Sequence, residues 1–267
     1  MYINTENHIK KRLHLINPGD QLTVDAVRVI PNNRVHASDP LRVVQTTVEG
    51  INNALDAASQ LNNLIRFVNV SSGLVGRTTN RQGPLSEGDT FPIPSGQLHL
   101  AYVDAKCASE SIATIYCNQF RLPLTTVRPF TFSGPYQQLD APWAINTFIN
   151  DAIRSDVIRI HGDGGVIRSY MYGSDAALRL LMLLVSGRDG GIYNLGGATP
   201  ITHFELAKLI SKISSLKPRI EINNDSQCLV KHDCLYPDLE NINNVLGLNK
   251  AHSTEHAIER SFKWFGK

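Results

Sequence analysis

The sequence predicts an α/β fold on a mostly parallel sheet, and three observations carry that expectation. From about residue 43 onward helical and strand-like segments alternate, which is how strand-helix-strand units are written. Leu64 to Val70 and Leu124 to Arg128 are short β-branched runs bounded by turn residues, as buried strands are. A chain of 267 residues has room for one large core, or one domain with a smaller lobe, without needing two independent domains.

Taken in order, Val43 to Ser59 places Val44, Val48, Ile51, Leu55 and Ala58 at helical spacing, and Leu64 to Val70 follows as a strand ending at Ser71-Ser72-Gly73. A polar loop from Gly76 to Gln97, long enough to suggest a functional role, leads to a helix over about Leu100 to Asn118. Next come a strand at Leu124 to Arg128, a turn at Ser133-Gly134-Pro135, a helix at Trp143 to Arg154 and a strand at Val157 to His161 closed by Gly162-Asp163-Gly164-Gly165. A helix at Asp175 to Ser186, a strand at Ile192 to Leu195, a helix at His203 to Ile213 capped by Thr202 and a closing helix at Ser253 to Phe265 complete the pattern. The first forty residues fit less well. Leu13 to Ile16 and Val24 to Ile30 read as possible strands, with turns at Asn17-Pro18-Gly19-Asp20 and Pro31-Asn32-Asn33.

Composition excludes several function classes. A hydrophobic content of 42%, a charged content of 19% and a net charge of +2 are ordinary for a soluble enzyme, and the basic residues are scattered except at Lys10-Lys11-Arg12, so no nucleic-acid surface is expected. The longest apolar run, Leu178 to Val185, is too short to span a bilayer, and Met1 to Arg12 is not signal-like, which points to a cytoplasmic protein with no membrane partner. Four cysteines, at 107, 117, 228 and 234, lack both zinc-site spacing and disulfide density, and the nine histidines form no metal-like cluster, so no metal is expected.

The chemistry lies in Tyr102-Val-Asp-Ala-Lys106, which stacks a phenol and an ammonium on one face of a helix at i and i+4. The ammonium favours the phenolate, drawing a pKa of about 10 toward working pH so that Tyr102 can exchange a proton with a substrate hydroxyl. Ser72, at the end of a strand, can hold the same oxygen. The same Tyr-Lys pair can also merely cover a helix surface. The order strand, Ser-Ser, long loop, Tyr-x-x-x-Lys helix, strand, Arg-Pro favours the catalytic reading.

With Val48-Glu-Gly50, Phe67-Val-Asn-Val-Ser-Ser72, Tyr102 to Lys106, Arg128-Pro129, Gly134-Pro135, Gly162-Asp-Gly164, Arg168-Ser-Tyr170, Asp175, Tyr193-Asn-Leu-Gly196, Pro237-Asp238 and Leu246-Gly247 in sequence order, the chain resembles the extended short-chain dehydrogenase/reductases, specifically the NAD-dependent epimerase/dehydratase family, from about His36 to Trp264. The resemblance implies a Rossmann-like parallel sheet with helices on both faces, incomplete at the N-terminus, plus a smaller C-terminal substrate lobe. It divides the chain into a partial NAD-binding region at 1-135 and a mainly substrate-binding lobe at 136-267 with some segments returning to the sheet. It makes Tyr102 the acid/base, gives Lys106 the nicotinamide ribose and the tuning of Tyr102, and sets Ser72 on the reacting oxygen. Ser71 and Phe130 join Tyr102 and Lys106 at the cofactor, and Thr131 and Arg168 fall on the substrate side. A guanidinium suits a diphosphate because its fork meets phosphate oxygens bidentately, although Arg168 could instead pair with Asp175.

The implied substrate is a nucleotide-sugar and the implied cofactor NAD, with NADP open. A homodimer through the Tyr-Lys helix is also implied, to which Ala108, Ile112, Ile115 and Tyr116 could contribute. The departures narrow the chemistry. Gly19 is the only glycine before Gly50, so the family's Gly-x-x-Gly-x-x-Gly turn, which takes the dinucleotide pyrophosphate, has no counterpart here. Thr47 and Thr131 stand where the family usually has asparagine. Gly73-Leu74-Val75 stands where sugar 4,6-dehydratases carry an Asp-Glu pair and decarboxylases a glutamate at the place of Leu74. Epimerisation at the sugar C4 is therefore expected, with an NAD(P)H-dependent keto-sugar or carbonyl reductase, or a catalytically inactive truncated remnant, as alternatives.

Overall fold

A computed structural model of the protein describes residues 39–76, 83–89, 97–223, 233–248 and 251–266. The two strand-like runs at Leu13 to Ile16 and Val24 to Ile30 lie outside the described residues, as does Cys228. The first described helix, α1 (Pro40–Ser59), starts three residues before the apolar spacing suggests, because Asp39 caps it by accepting from the Arg42 amide at 3.0 Å and Pro40 occupies its first turn. It leads to β1 (Phe67–Val70), and α2 (Ala101–Phe120) then returns the chain to β2 (Leu124–Pro129).

β1 pairs with β2 in parallel, Phe67 opposite Leu124 and Val70 opposite Val127, and the other edge of β2 takes β6 (Ile192–Leu195), also in parallel. Alternation along these strands separates two cores. Phe67 and Leu124 pack with Leu55, Ala58 and Ala113 of α1 and α2. Val68 and Val127 point the other way, onto Ala176 and Leu183 of α4 (Gly173–Ser186). Helices therefore cover both faces of a parallel sheet, the α/β class that the alternation of elements predicts.

Most of the remaining described residues form a second body on β3 (Thr131–Ser133), α3 (Ala144–Arg154), β4 (Val157–His161), β5 (Ile167–Tyr172), β7 (Pro200–Thr202), α5 (His203–Ile213), β8 (Arg219–Asn223), β9 (Cys234–Leu235) and α7 (Thr254–Phe265), while α6 (Glu240–Leu246) packs Ile242 and Leu246 into the first body beside Leu183 and Leu195. β5 runs parallel to β3 and β9 and antiparallel to β7, while β4 pairs with β8. Its core is Ile145, Ile149, Ile158, Ile160, Leu206, Ile210 and Ile258. Thr202 caps α5 as expected, in a reciprocal box where it accepts from the Glu205 amide at 3.1 Å and its own amide donates to the Glu205 carboxylate at 3.0 Å.

Strands β3, β5, β7, β8 and β9 and helix α6 carry no periodicity of their own that marks them in the sequence. They hold two to seven residues each, too few for a repeat to show, and their partners are remote in the chain. Of the helix residues considered for a dimer face, Ile112 and Tyr116 are partly buried against the α1–α2 core, while Ile115 is exposed. Cys107, Cys117 and Cys234 are unpaired thiols, and no helix among the described residues is long and apolar enough to cross a membrane.

Candidate active site

The carboxyl ends of β1 and β2 assemble the site, the position where open parallel sheets bind ligands. β1 runs straight into Ser71 and Ser72, both buried. The Ser71 amide donates to the Val127 carbonyl at 2.7 Å, extending the ladder by one bond, but the Ser71 hydroxyl has no hydrogen-bond partner in the structure. The Ser72 hydroxyl accepts from the Leu74 amide at 3.2 Å. That bond uses a lone pair and leaves the hydroxyl proton free to donate to a substrate oxygen.

α2 supplies the next two groups. Lys106 reaches back to β1, its Nζ donating to the Val70 carbonyl at 2.7 Å while standing 5.9 Å from the centre of the Tyr102 ring. Tyr102, Lys106 and the serines are thereby gathered at one strand end. Burial lowers the Lys106 pKa from 10.5 to about 8, and the carboxylate of Glu110, one helical turn further on, opposes that fall. With that value the ammonium is charged at neutral pH.

Phe130 closes the floor. Its amide donates to the Leu195 carbonyl at 2.8 Å, and its ring lies so close over Gly73 that a Cβ there would meet ring carbons at 2.7 Å. Glycine at 73 is thus required by the approach of an aromatic ring. Thr131 opens β3, opposite Tyr170 of β5, and Arg168 lies two residues before Tyr170 on the same strand. Arg168 is held by Asp233, at 2.7 Å to its carboxylate and 2.9 Å to its carbonyl. Asp175, the alternative partner that the sequence offers, instead receives the His252 amide at 2.6 Å and lies 2.8 Å from the His252 ring nitrogen. The structure therefore brings Ser71, Ser72, Tyr102, Lys106 and Phe130 together, and sets Thr131 and Arg168 on the adjoining strand pair.

One positioning group escapes a reading of the sequence. Glu110 forms a two-pronged, largely buried ion pair with Arg128 of β2, at 2.9 and 2.7 Å, and Arg128 also donates to the Glu87 carbonyl at 3.0 Å. The pair pins α2 to β2 and so fixes where Tyr102 and Lys106 stand. A carboxylate four residues after Lys106, on the same helical face, was the available signal. A cavity of about 460 Å³ borders this pair on a different flank of α2, by Cys107 and Ser111, and is not lined by Tyr102, Lys106 or the serines.

Serines at a strand end, a Tyr-Lys helix and a parallel sheet between helices define a class of protein, and comparison gives it a family. The model of the NAD dependent epimerase/dehydratase family matches residues 10–196, and the chain belongs to that family. It is 25% identical over 222 residues to a trifunctional UDP-glucose 4,6-dehydratase/UDP-4-keto-6-deoxy-D-glucose 3,5-epimerase/UDP-4-keto-L-rhamnose-reductase of Arabidopsis thaliana, covering 83% of this chain and 32% of that protein. It is 28% identical over 169 residues to a dTDP-glucose 4,6-dehydratase of Streptomyces niveus, covering 63% of this chain and 48% of that one. The chain thus spans a third to a half of the length of these relatives. In fold it is similar to the UDP-glucose 4-epimerase of Thermotoga maritima solved with UDP-glucose, with a TM-score of 0.78 at 20% identity over 90% of this chain and 75% of that one. It is also similar to the dTDP-glucose 4,6-dehydratase of Bacillus anthracis solved in complex with NAD, with a TM-score of 0.71 at 22% identity over 84% of this chain and 68% of that one.

Proposed function

We propose that this chain carries the proton-transfer and substrate side of an NAD-dependent oxidoreductase that epimerises a nucleotide-sugar at C4. The observation that carries the reading is the placement of Lys106, fixed on the Val70 carbonyl beside Tyr102 and at the strand end that holds both serines. The residues present fit the nicotinamide end of the cofactor. Ser71 offers a buried hydroxyl with no protein partner, Lys106 a charged donor, and Gly73 under Phe130 a flat floor. NAD, when bound, supplies the hydride acceptor and donor for the sugar carbon.

The chain's own residues do the rest. Ser72 donates a hydrogen bond to the C4 oxygen and holds it near Tyr102. The Tyr102 phenolate, stabilised by the Lys106 ammonium, removes the hydroxyl proton as the carbon is oxidised and returns it on reduction, so the net proton count is zero over a cycle. Leu74 bears on the fate of the oxidised sugar. It contributes only a backbone amide, to Ser72, and a leucine has no proton to give a leaving hydroxyl, so the keto-sugar is reduced again and water is not eliminated.

Calorimetric titration with NAD and with UDP-glucose tests the binding half of this reading. Ser71→Ala is expected to weaken NAD binding by roughly five- to tenfold, the worth of one hydrogen bond of about 1–1.5 kcal/mol, while leaving UDP-glucose binding unchanged. Equal NAD affinity in both proteins removes Ser71 from the cofactor site.

A further inference from the structure

Residues 85–89 bridge the carboxyl end of the parallel sheet and the tail of the chain. Leu85, 2% exposed, forms a single parallel bridge with Pro237: its amide donates to the Tyr236 carbonyl at 2.9 Å, and its carbonyl accepts from the Asp238 amide at 2.7 Å. The same carbonyl accepts from the buried side-chain amide of Asn194 at 2.8 Å. The Gly191 and Leu195 carbonyls accept from the Thr126 and Phe130 amides, so by the alternation of a parallel ladder the Asn194 backbone amide points away from β2. There it donates to the Glu87 carboxylate at 2.8 Å. The Glu87 carbonyl accepts from Nη1 of Arg128 at 3.0 Å, while Nε and Nη2 of Arg128 hold Glu110 on α2. Glu87 thus grips β6 with its side chain and β2 with its backbone.

From this double grip we propose that Glu87 is a positioning residue for the Tyr102–Lys106 pair, acting through Arg128 and Glu110, which rests on the reading of that pair as the groups that move the proton. The Arg128 side chain is 8% exposed, so little water reaches it to replace an acceptor that leaves. If the Glu87 carbonyl withdraws, Nη1 is left buried without that acceptor, and the guanidinium turns to find another. Glu110, bound to the same guanidinium by two prongs, turns with it. Because Glu110 stands one helical turn after Lys106 and its charge acts on the ammonium, a shift at Arg128 reaches Lys106. The turn around Glu87 is closed locally, the Ser86 amide donating to the Asp89 carboxylate at 2.7 Å and the Asp89 amide to the Ser86 carbonyl at 3.2 Å. A closed turn moves as a unit, and the bond from Asn194 to the Glu87 carboxylate anchors that unit to β6.

The test uses the full chain with Glu87→Ala and with Glu87→Gln, which keeps a side-chain oxygen for the Asn194 amide. NMR of lysines labelled with carbon-13 at Cε follows the titration of Lys106, assigned by its loss in Lys106→Arg, and needs no turnover. That titration is expected at about 8 in the native chain. Glu87→Ala should move it down as Glu110 drifts from Lys106, and Glu87→Gln should restore it. Turnover of UDP-glucose with NAD gives the second reading. In Glu87→Ala kcat should fall roughly tenfold, the worth of one buried hydrogen bond, with KM held within about twofold, and Glu87→Gln should stay near the native rate. A Lys106 titration that stays in place in a folded Glu87→Ala protein overturns the proposal, as does a Gln variant as impaired as the Ala one. Where Glu87→Ala fails to fold, Glu87→Asp, one methylene short of the Asn194 amide, is read in the same way. A native chain without turnover counts against the reaction alone, and the Lys106 titration then decides the role of Glu87.

Discussion

Lys106 is subject to two opposed influences, and pH separates them. Burial lowers its pKa to about 8 against the pull of Glu110. Because the folded-state value lies below the unfolded 10.5, the unfolded chain binds more protons between these limits, so this group's contribution to stability rises as pH climbs from about 8 toward 10.5. In the proposed mechanism activity runs the other way, since there the Lys106 charge favours the Tyr102 phenolate and is lost over the same window. A pH profile of turnover should therefore fall on its alkaline limb with an apparent pKa of about 8, and Lys106→Arg, which keeps the charge, should move that limb upward. Turnover unchanged between pH 7 and 9.5 would remove Lys106 from this role. The local part of the site was legible in the sequence because its spacing is local: Ser71 and Ser72 end a strand, and Tyr102 and Lys106 are one turn apart. The partner of Arg168 was not, because Asp233 is brought beside it by the β5–β9 pairing of residues remote in sequence.

Between elements, two contacts set the geometry of the site. Glu110→Gln keeps the shape but leaves the Arg128 guanidinium without its counter-charge, which should cost about 3 kcal/mol in urea unfolding, as loss of one partner of a buried pair does. The same change removes the charge that raises the Lys106 pKa, so the alkaline limb of turnover should move below 8. A limb that stays in place would show that Glu110 acts on stability alone. At the other contact, Gly73→Ala drives a methyl into the Phe130 ring and is expected to cost about 1–3 kcal/mol, and Phe130→Leu in the same chain should recover much of it. A double-mutant cycle by denaturant titration measures that coupling, and strict additivity would contradict the contact. Helices of ten residues or more and the strands Phe67–Val70, Leu124–Pro129, Val157–His161 and Ile192–Leu195 were readable from pattern because each buries a face continuous in sequence. β7 and β9 take their pairing from β5, which neither adjoins in the chain, and so were not.

Across the whole molecule, two bodies divide the labour. The parallel sheet with α1, α2 and α4 positions Ser71, Ser72, Tyr102 and Lys106, and the segment after Pro129 turns β3 and β5 into a neighbouring support that carries Thr131 and Arg168. The link between them is short: β2 ends at Pro129 and β3 begins at Thr131, with Phe130 between them on the floor of the site. The alternation of elements, which predicted the class of fold, holds in the first body, while the mixed pairing of β5 in the second depends on contacts that no local pattern encodes. If the two bodies together exchange a proton at the sugar C4 and return the hydride to the same carbon, the fate of that hydrogen reports it. Incubation of the protein with NAD and UDP-glucose deuterated at C4, followed by NMR of the sugar, should show interconversion of the C4 epimers with the deuterium retained at C4, and a loss of rate on the order of 10²-fold or more in Tyr102→Phe. A 4-keto-6-deoxy product, or epimerisation that survives in Tyr102→Phe, would contradict proton exchange by Tyr102 at C4.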